Sequence, residues 1–393
     1  MHIVVLFHNI GGYHAARLRA AEAVFRQRGW RLTAIQETDN ADEHPWGDLE
    51  KEISFPLVTL LPAKEVPNVR HRHPQSTLAA KRLPNCLRHL NPDILVIPGW
   101  GYPMSRVALK WAQHHRRPAI LMSESKWDDA PRSRWKELLK SLLYTRKFQS
   151  ALVGGALHKE YLVKLGFSTQ GIFYGYDIVD NDYFTEKAAQ ARHNPCTIRQ
   201  YHPQIPIRPY FITVTRFIPR KNVLRLIEAF DQYRKTVGLE NAWDLVICGS
   251  GQESDRIRTH IQNRQLEQSV HLPGFQPYKA IPYWFGLASG FIHPALSEQW
   301  GLVVNEALAA GLPALVSNRC GCYSELIIEG SNGFGFDPEN VMQLAALMQK
   351  LSSRKDLDLV QMGQAALTHV QKFSPASFGN GLEQAIDYAL EAM

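Results

Sequence analysis

Glu298 and Glu306, separated by seven residues, stand in the stretch HPALSEQWGLVVNEALAAGLP, which runs from His293 to Pro313. The rest of that stretch is small, apolar or punctuated by glycine, the pattern of a packed segment. A carboxylate has two acceptor oxygens and takes paired hydroxyls well. The order of signals is a strand (GFIHPA), a loop (LSEQW), Gly301, then a helix (LVVNEALAAG). A helix that starts at a glycine beside a strand's carboxyl end aims unpaired amides, and its positive dipole end, at whatever lies there. Gly301 also lets the backbone approach a ligand closely. Glu298 lies in the loop ahead of the helix. Glu306 lies about one turn into it, placed to hydrogen-bond a diol on the same ligand.

A second cluster follows the strand YFITVT. In RFIPRKN, Arg216 ends the strand and Lys221 stands five positions later, where a helix begins. A guanidinium and an ammonium aimed into one cleft neutralise a diphosphate; the plainer reading is two solvated loop charges. A ligand with sugar hydroxyls at both ends and phosphates between them suits all four side chains. That ligand is a nucleotide sugar.

The elements that must position these residues repeat one grammar twice. HIVVLFH, RLTAIQ, PDILVIPG, PAILMSES, SALVGG and GIFYGYD read as strands, with helical runs near 76–90, 105–115, 131–147 and 156–166 between them. Such alternation makes an α/β chain with a parallel sheet covered on both faces. Residues 187–209, polar and proline-bearing, read as a linker. The cycle then restarts at YFITVTRF and runs through strands WDLVICG, SVHLPG, GFIHPA and PALVSN with helices between. The expectation is two Rossmann-like, doubly wound halves, 1–186 and 210–373, facing a central cleft beyond the strands' carboxyl ends. Residues 374–393 form a capped amphipathic helix.

Bulk properties narrow the class. The chain has 393 residues, more than one core usually serves, and a net charge of +7 that permits anionic partners. No nucleic-acid reader motif accompanies that charge, so no nucleic acid is expected. The five cysteines are scattered, and the spacing of Cys320 and Cys322 is wrong for a redox or zinc pair. The N-terminal apolar run is too short for a signal peptide, and no run is long enough to span a membrane. The chain is read as cytoplasmic.

Several ordered motifs, RFIPRKNVLRLIEAF, DLVICGSGQE, LPGF, HPALSEQWGLVVNEALAAGLPALVSN and SELIIEGSNGFGFDP, together resemble glycosyltransferase family 4 over about 210–340. GGYHAARL and GYDIVDNDYF fit it more loosely. The resemblance implies the GT-B fold and a retaining transfer from a nucleotide diphosphate sugar, expected to be a UDP-sugar. It implies no bound metal and no cofactor beyond the donor. By it, Glu298 contacts the donor sugar and Glu306 the ribose, while Arg216 and Lys221 hold the diphosphate with the amides of Gly301, Leu302 and Val303. Gly12 lets the first loop close over the donor, Gly249 lies on the donor side, and the C-terminal helix crosses back to the first domain.

The acceptor side departs from the family pattern. Where many members carry a histidine after the strand PAILMSES, Ser123, Glu124 and Ser125 stand instead. Glu124 can orient an acceptor hydroxyl or take its proton, or simply face solvent. Trp100 and Tyr102, in the loop PGWGYP, can stack on an acceptor sugar or pack internally. The acceptor class is a small molecule, an oligosaccharide or a lipid-linked sugar. Asp180 and Asp182 match a D-x-D metal pattern but read as turn or cap residues. The basic amphipathic run 134–148 either packs on the sheet or lies on the inner face of a membrane. The loop 69–76 can steer an anionic acceptor. Two other readings stay open: a nucleotide-sugar epimerase of the same architecture, and an inert sugar-nucleotide-binding module.

Overall fold

Six consecutive residues of β1, His2–Phe7, are all buried, as a strand covered on both faces requires. The computed structural model describes residues 1–39, 53–62, 72–130 and 132–392. Residues 69–71 of the basic loop lie outside that range. The chain divides into two units, Met1–Asp180 with Phe373–Met393, and Asn181–Lys372.

In the first unit β1 is followed by α1 (Gly12–Gln27), β2 (Arg31–Thr38), β3 (Leu57–Leu61), α2 (Arg72–Leu90) and β4 (Ile94–Pro98). Then come α3 (Pro103–His114), β5 (Ala119–Ser123), α4 (Arg134–Leu143), β6 (Ser150–Val153), α5 (Ala156–Lys164) and β7 (Ile172–Tyr174). The strands form one sheet in the order β3-β2-β1-β4-β5-β6-β7, and every pair is parallel. Separate apolar cores cover its two faces.

The second unit opens with α6 (Asn181–His193) and α7 (Pro195–Tyr201), then β8 (Tyr210–Val214), α8 (Val223–Val237), β9 (Asp244–Cys248) and α9 (Ser254–Asn263). It continues with β10 (Val270–Gly274), α10 (Ile281–Leu287), β11 (Gly290–His293), α11 (Leu302–Ala309) and β12 (Ala314–Ser317). It ends with α12 (Tyr323–Leu326), β13 (Gly333–Phe336), α13 (Val341–Ser352) and α14 (Asp356–Val370). Its sheet, also all parallel, runs β10-β9-β8-β11-β12-β13. The last helix, α15 (Pro375–Glu391), returns to the first unit and packs on α1. There Arg28 pairs with Glu383 and Asp387, each at 2.9 Å.

The stretch expected as a linker, 187–209, is largely helical instead. α6 and α7 occupy most of it and belong to the second unit, whose boundary falls at Asp180/Asn181 rather than after 186. The helix α6 buries Phe184, Ala188 and Ala191 and packs on α10, while Arg192 donates 3.0 Å to the Ala310 carbonyl. Alanines make a narrow stripe that polar neighbours conceal. The strands β3 and β13 were not expected either. Both are sheet edges, short and covered less completely than the centre.

Each sheet reverses its order once, between β1 and β4 and between β8 and β11. A crevice opens at such a switch point because the crossovers diverge to opposite faces. In the second unit that point lies between the segments following Val214 and His293, which hold most of the residues singled out above.

Candidate functional site

Beyond β8 the chain reaches exposed Arg216, then a 3-10 turn, Pro219–Lys221, and Asn222. Asn222 takes a left-handed conformation (φ +61°) ahead of α8. Its buried amide donates to the carbonyls of Pro294 at 3.0 Å and Pro338 at 2.8 Å. It thereby ties the turn after β8 to the loop after β11. The amide of Leu296 donates 2.8 Å to the Arg220 carbonyl and closes the same seam. Lys221 is thus held by backbone geometry, not by chance.

The loop that carries Glu298 is also fixed. It forms a short parallel bridge with Cys320, in which Gly321 N donates to Glu298 O at 3.1 Å and Cys322 N to Trp300 O at 3.2 Å. The Cys-Gly-Cys segment therefore serves as a backbone clamp, and both cysteines are buried, with no disulfide among the described residues. The Glu298 side chain, 13% exposed, forms an ion pair with Lys221 and a second with Arg220 at 3.2 Å. Burial alone would raise its pKa, but the Lys221 ammonium and Arg220 outweigh that and hold it below the usual range. Beneath it lies His293, with Nε2 3.8 Å from Glu298 Oε2. His293 is fully enclosed, and among the described residues neither ring nitrogen has a hydrogen-bond partner. Burial, then the nearby Lys221 charge, pushes its pKa down to about 3, so the ring is neutral at pH 7.

Gly301 starts α11 in a left-handed conformation (φ +111°), where a Cβ would sit 3.3 Å from His293 Nε2. Only glycine takes that turn without strain. Trp300, buried, donates 2.8 Å to Asn305 Oδ1 and fixes the entry to the helix. Along α11, Val304, Asn305 and Ala307–Ala309 are buried, whereas Leu302, Val303 and Glu306 are half-buried on the open side. Among the described residues no cation or donor pairs with the Glu306 carboxylate. Although part of its surface meets solvent, the surrounding protein desolvates it and pushes its pKa up to about 8.

Gly249, at the carboxyl end of β9, has φ +148°, and a Cβ there would fall 1.8 Å from the Thr215 carbonyl oxygen. The glycine lets the segments after β8 and β9 zip together, with Thr215 N donating to Cys248 O at 2.9 Å and Phe217 N to Ser250 O at 2.8 Å. Its structural demand is explicit, and it sets where Arg216 begins.

In the first unit the expected acceptor residues gather at the carboxyl ends of β1, β4 and β5. Gly12 is the first residue of α1, not part of a free loop. Trp100 packs on the core and stacks on Tyr144 with centroids 6.3 Å apart. Tyr102 caps α3 and meets the His8 ring edge-on at 3.7 Å. His8 Nδ1 faces a carboxyl oxygen of buried Glu37. Ser125 N donates to Ser123 Oγ at 3.3 Å. Glu124, half-buried, stands beside the enclosed Asp177 carboxyl. Burial, then the Glu124 charge, holds the Asp177 pKa well above the usual range. Arg17, fully buried, donates to the Ile178 carbonyl at 3.0 Å and stands over Tyr176. Asp180 of the D-x-D pattern pairs with Arg19 at 2.9 Å.

Residues 197–368, most of the second unit, match the family model of glycosyl transferases group 1. The second unit is similar to the group 1 glycosyl transferases. "Probable sucrose-phosphate synthase 2" of Oryza sativa subsp. japonica is 25% identical over 241 residues, 55% of this chain and 24% of that protein. The chain spans a quarter or less of the plant sucrose-phosphate synthases it matches. The O-antigen chain mannosyltransferase B of Escherichia coli is 25% identical over 150 residues, 38% of each chain. Among solved structures, a glycosyltransferase from Rickettsia africae ESF-5 superposes with a TM-score of 0.74 at 16% identity, covering 98% of both chains. Anabaena Alr3699/HepE, solved in complex with UDP, has a TM-score of 0.72 at 16% identity, over 98% of this chain and 100% of that one. At such identity the likeness is one of fold: two Rossmann-like parallel-sheet domains of the GT-B type.

Within that group 1 segment, sequence reasoning missed His293 and Asn222. A lone histidine ending an apolar strand reads as core, and Asn222 reads as a helix cap. The available signal for Asn222 was its place between a cationic turn and a helix, where a left-handed residue is commonly asparagine.

Proposed function

We propose that the protein is a retaining glycosyltransferase that moves a hexosyl or N-acetylhexosaminyl group from a UDP-sugar to a hydroxyl acceptor without a metal ion. The observation that carries this is Glu306, a desolvated carboxyl group with no partner among the described residues, on the open side of a helix that begins at left-handed Gly301 on the switch point. A ribose diol supplies the two donors such a carboxylate lacks. The amides of Gly301, Leu302 and Val303, with the dipole of α11, then face the diphosphate. The complex of the Anabaena neighbour with UDP supports uracil as the base.

In the proposed reaction the bond from the sugar's anomeric carbon to the distal phosphate oxygen breaks. The acceptor oxygen bonds that carbon on the face being vacated, and its proton passes to the departing phosphate oxygen. Negative charge that grows on the leaving diphosphate is stabilised by Arg216, Lys221 and the amino end of α11, preorganised as the transition state needs. Glu298 takes sugar hydroxyls, and its ion pair with Lys221 sets both side chains beside the leaving group. Glu124, Trp100, Tyr102 and Ser125 are the acceptor-side candidates, with Glu124 orienting the attacking hydroxyl. A small-molecule, oligosaccharide or lipid-linked acceptor fits this scheme.

The test is turnover of a panel of UDP-, GDP- and ADP-sugars with hydroxyl acceptors in excess chelator, read by mass spectrometry. NMR of the product gives the anomeric configuration. A product of retained configuration from a UDP-sugar supports the reading. Inversion, or activity that needs added manganese, overturns the mechanism; consumption of donor to an epimer without transfer overturns the function.

A further inference from the structure

Helix α4 is oriented opposite to a surface helix of a globular domain, which normally turns its apolar stripe inward. Its two buried residues are Glu137 and Ser141, one turn apart. Glu137 accepts from Tyr161 Oη at 2.6 Å and from Lys140 Nζ at 2.8 Å, so the polar side anchors the helix. Trp135, Leu138, Leu139 and Leu142, spaced i, i+3, i+4 and i+7, form one row on the other side. They are 65%, 58%, 46% and 51% exposed, and Leu143 adds to the row at 43%. Arg134 and Lys136 flank that row, and Arg146 and Lys147 follow it. Among the described residues, Arg134, Arg146 and Lys147 have no acidic partner.

Beside the row lies a cavity of about 260 Å³ between α3 and the end of α4. Val107, Leu143 and Tyr144 give it apolar walls, and Arg106, Lys110 and Lys147 stand at it. None of these three cations has an acidic partner among the described residues. An apolar floor under cationic heads is the chemistry of a phospholipid, with acyl chain below and phosphate above.

We propose that this face docks on an anionic phospholipid bilayer: the outward row of α4 enters the interface, and Arg106, Lys110 and Lys147 take lipid phosphates. Charge decides the occupant. A second copy in a two-fold contact would bring Arg134, Lys136 and Arg146 against their own equivalents. An anionic headgroup layer complements them. No described helix is long and apolar enough to cross a membrane, so the contact is peripheral. The inference stands independently of the donor site.

The test is flotation of the full chain with vesicles of phosphatidylcholine alone, or with about one third phosphatidylglycerol. Wild type is expected to float with the anionic vesicles only, less so in high salt, with a blue shift of tryptophan emission that Trp135→Phe removes. Leu139→Glu with Leu142→Glu, and separately Lys110→Glu with Lys147→Glu, each weaken that binding about tenfold or more. All four positions lie at the surface, and an unchanged melting temperature verifies folding. Failure to float with anionic vesicles, or binding unchanged in both double variants, overturns the proposal. So does a lipid-free dimer that Leu139→Glu splits, which would give the face to a second copy.

Discussion

Lys221 Nζ donates to Glu298 Oε2, joining the turn after β8 to the loop after β11 across the switch point of the second sheet. Both side chains are nearly enclosed, at 12% and 13% exposure. Removing one partner leaves a buried charge, which is costly. Lys221→Met is expected to lose about 2–3 kcal/mol of stability, with Arg220 limiting the damage. Adding Glu298→Gln should recover more than half of that in a double-mutant cycle by chemical denaturation. Simple additivity of the two changes would show that the pair is not coupled.

His293 and Glu306 give the second unit opposing responses to pH. His293 is held neutral to about pH 3 when folded, against 6.5 unfolded, so it contributes an acid-side loss as pH falls below 6.5. Glu306 keeps its proton to about pH 8 when folded, against 4.5 unfolded, so its contribution falls as pH rises from 4.5 to 8. Glu306→Gln should therefore raise stability at pH 8 by about 1–3 kcal/mol and change little at pH 4. His293→Leu should flatten the loss between pH 6.5 and 4. Denaturation midpoints across pH 4–9 check both, and parallel curves for all three proteins would contradict these assignments.

Gly249→Ala forces a Cβ against the Thr215 carbonyl, which is backbone and cannot turn aside. About 3 kcal/mol should be lost, because the segments after β8 and β9 must separate. Gly101→Ala is the control: nothing lies within 4 Å of its Cβ, and the change should stay within about 0.5 kcal/mol. Equal melting temperatures for the two variants would refute the packing role of Gly249.

Burial and the neighbouring Glu124 charge raise the Asp177 pKa in the first unit, which makes the buried acid a growing penalty as pH rises above the ordinary aspartate range. Asp177→Asn keeps the size and shape of the side chain and removes that penalty. The variant should be more stable than wild type at pH 8 and equal to it near pH 3. Reversal of that order would show that the carboxyl is ionised and satisfied.

Much of the site could be read from the sequence because glycine and charge punctuate strand ends. Gly301 marks a left-handed start, and Arg216 and Lys221 follow an apolar strand. The partners that hold them were hidden. His293, Cys320 and Cys322 act through burial and backbone pairing, which leave no periodic trace. The helices α6 and α7 escaped because alanines make a faint stripe among polar residues. For α4 the spacing showed an amphipathic helix but not which side faces the protein; the Glu137–Tyr161 bond decides that and involves residues 24 apart in the chain.

The donor site is the central claim, and a calorimetric titration with UDP in excess chelator tests it most directly. At pH 9, where Glu306 is ionised, wild type should bind, and Glu306→Gln should bind at least about tenfold more weakly while melting no lower, because a ribose diol loses a charged acceptor worth roughly 1.5–3 kcal/mol. Equal affinity in the two proteins, or no heat from wild type, would contradict it.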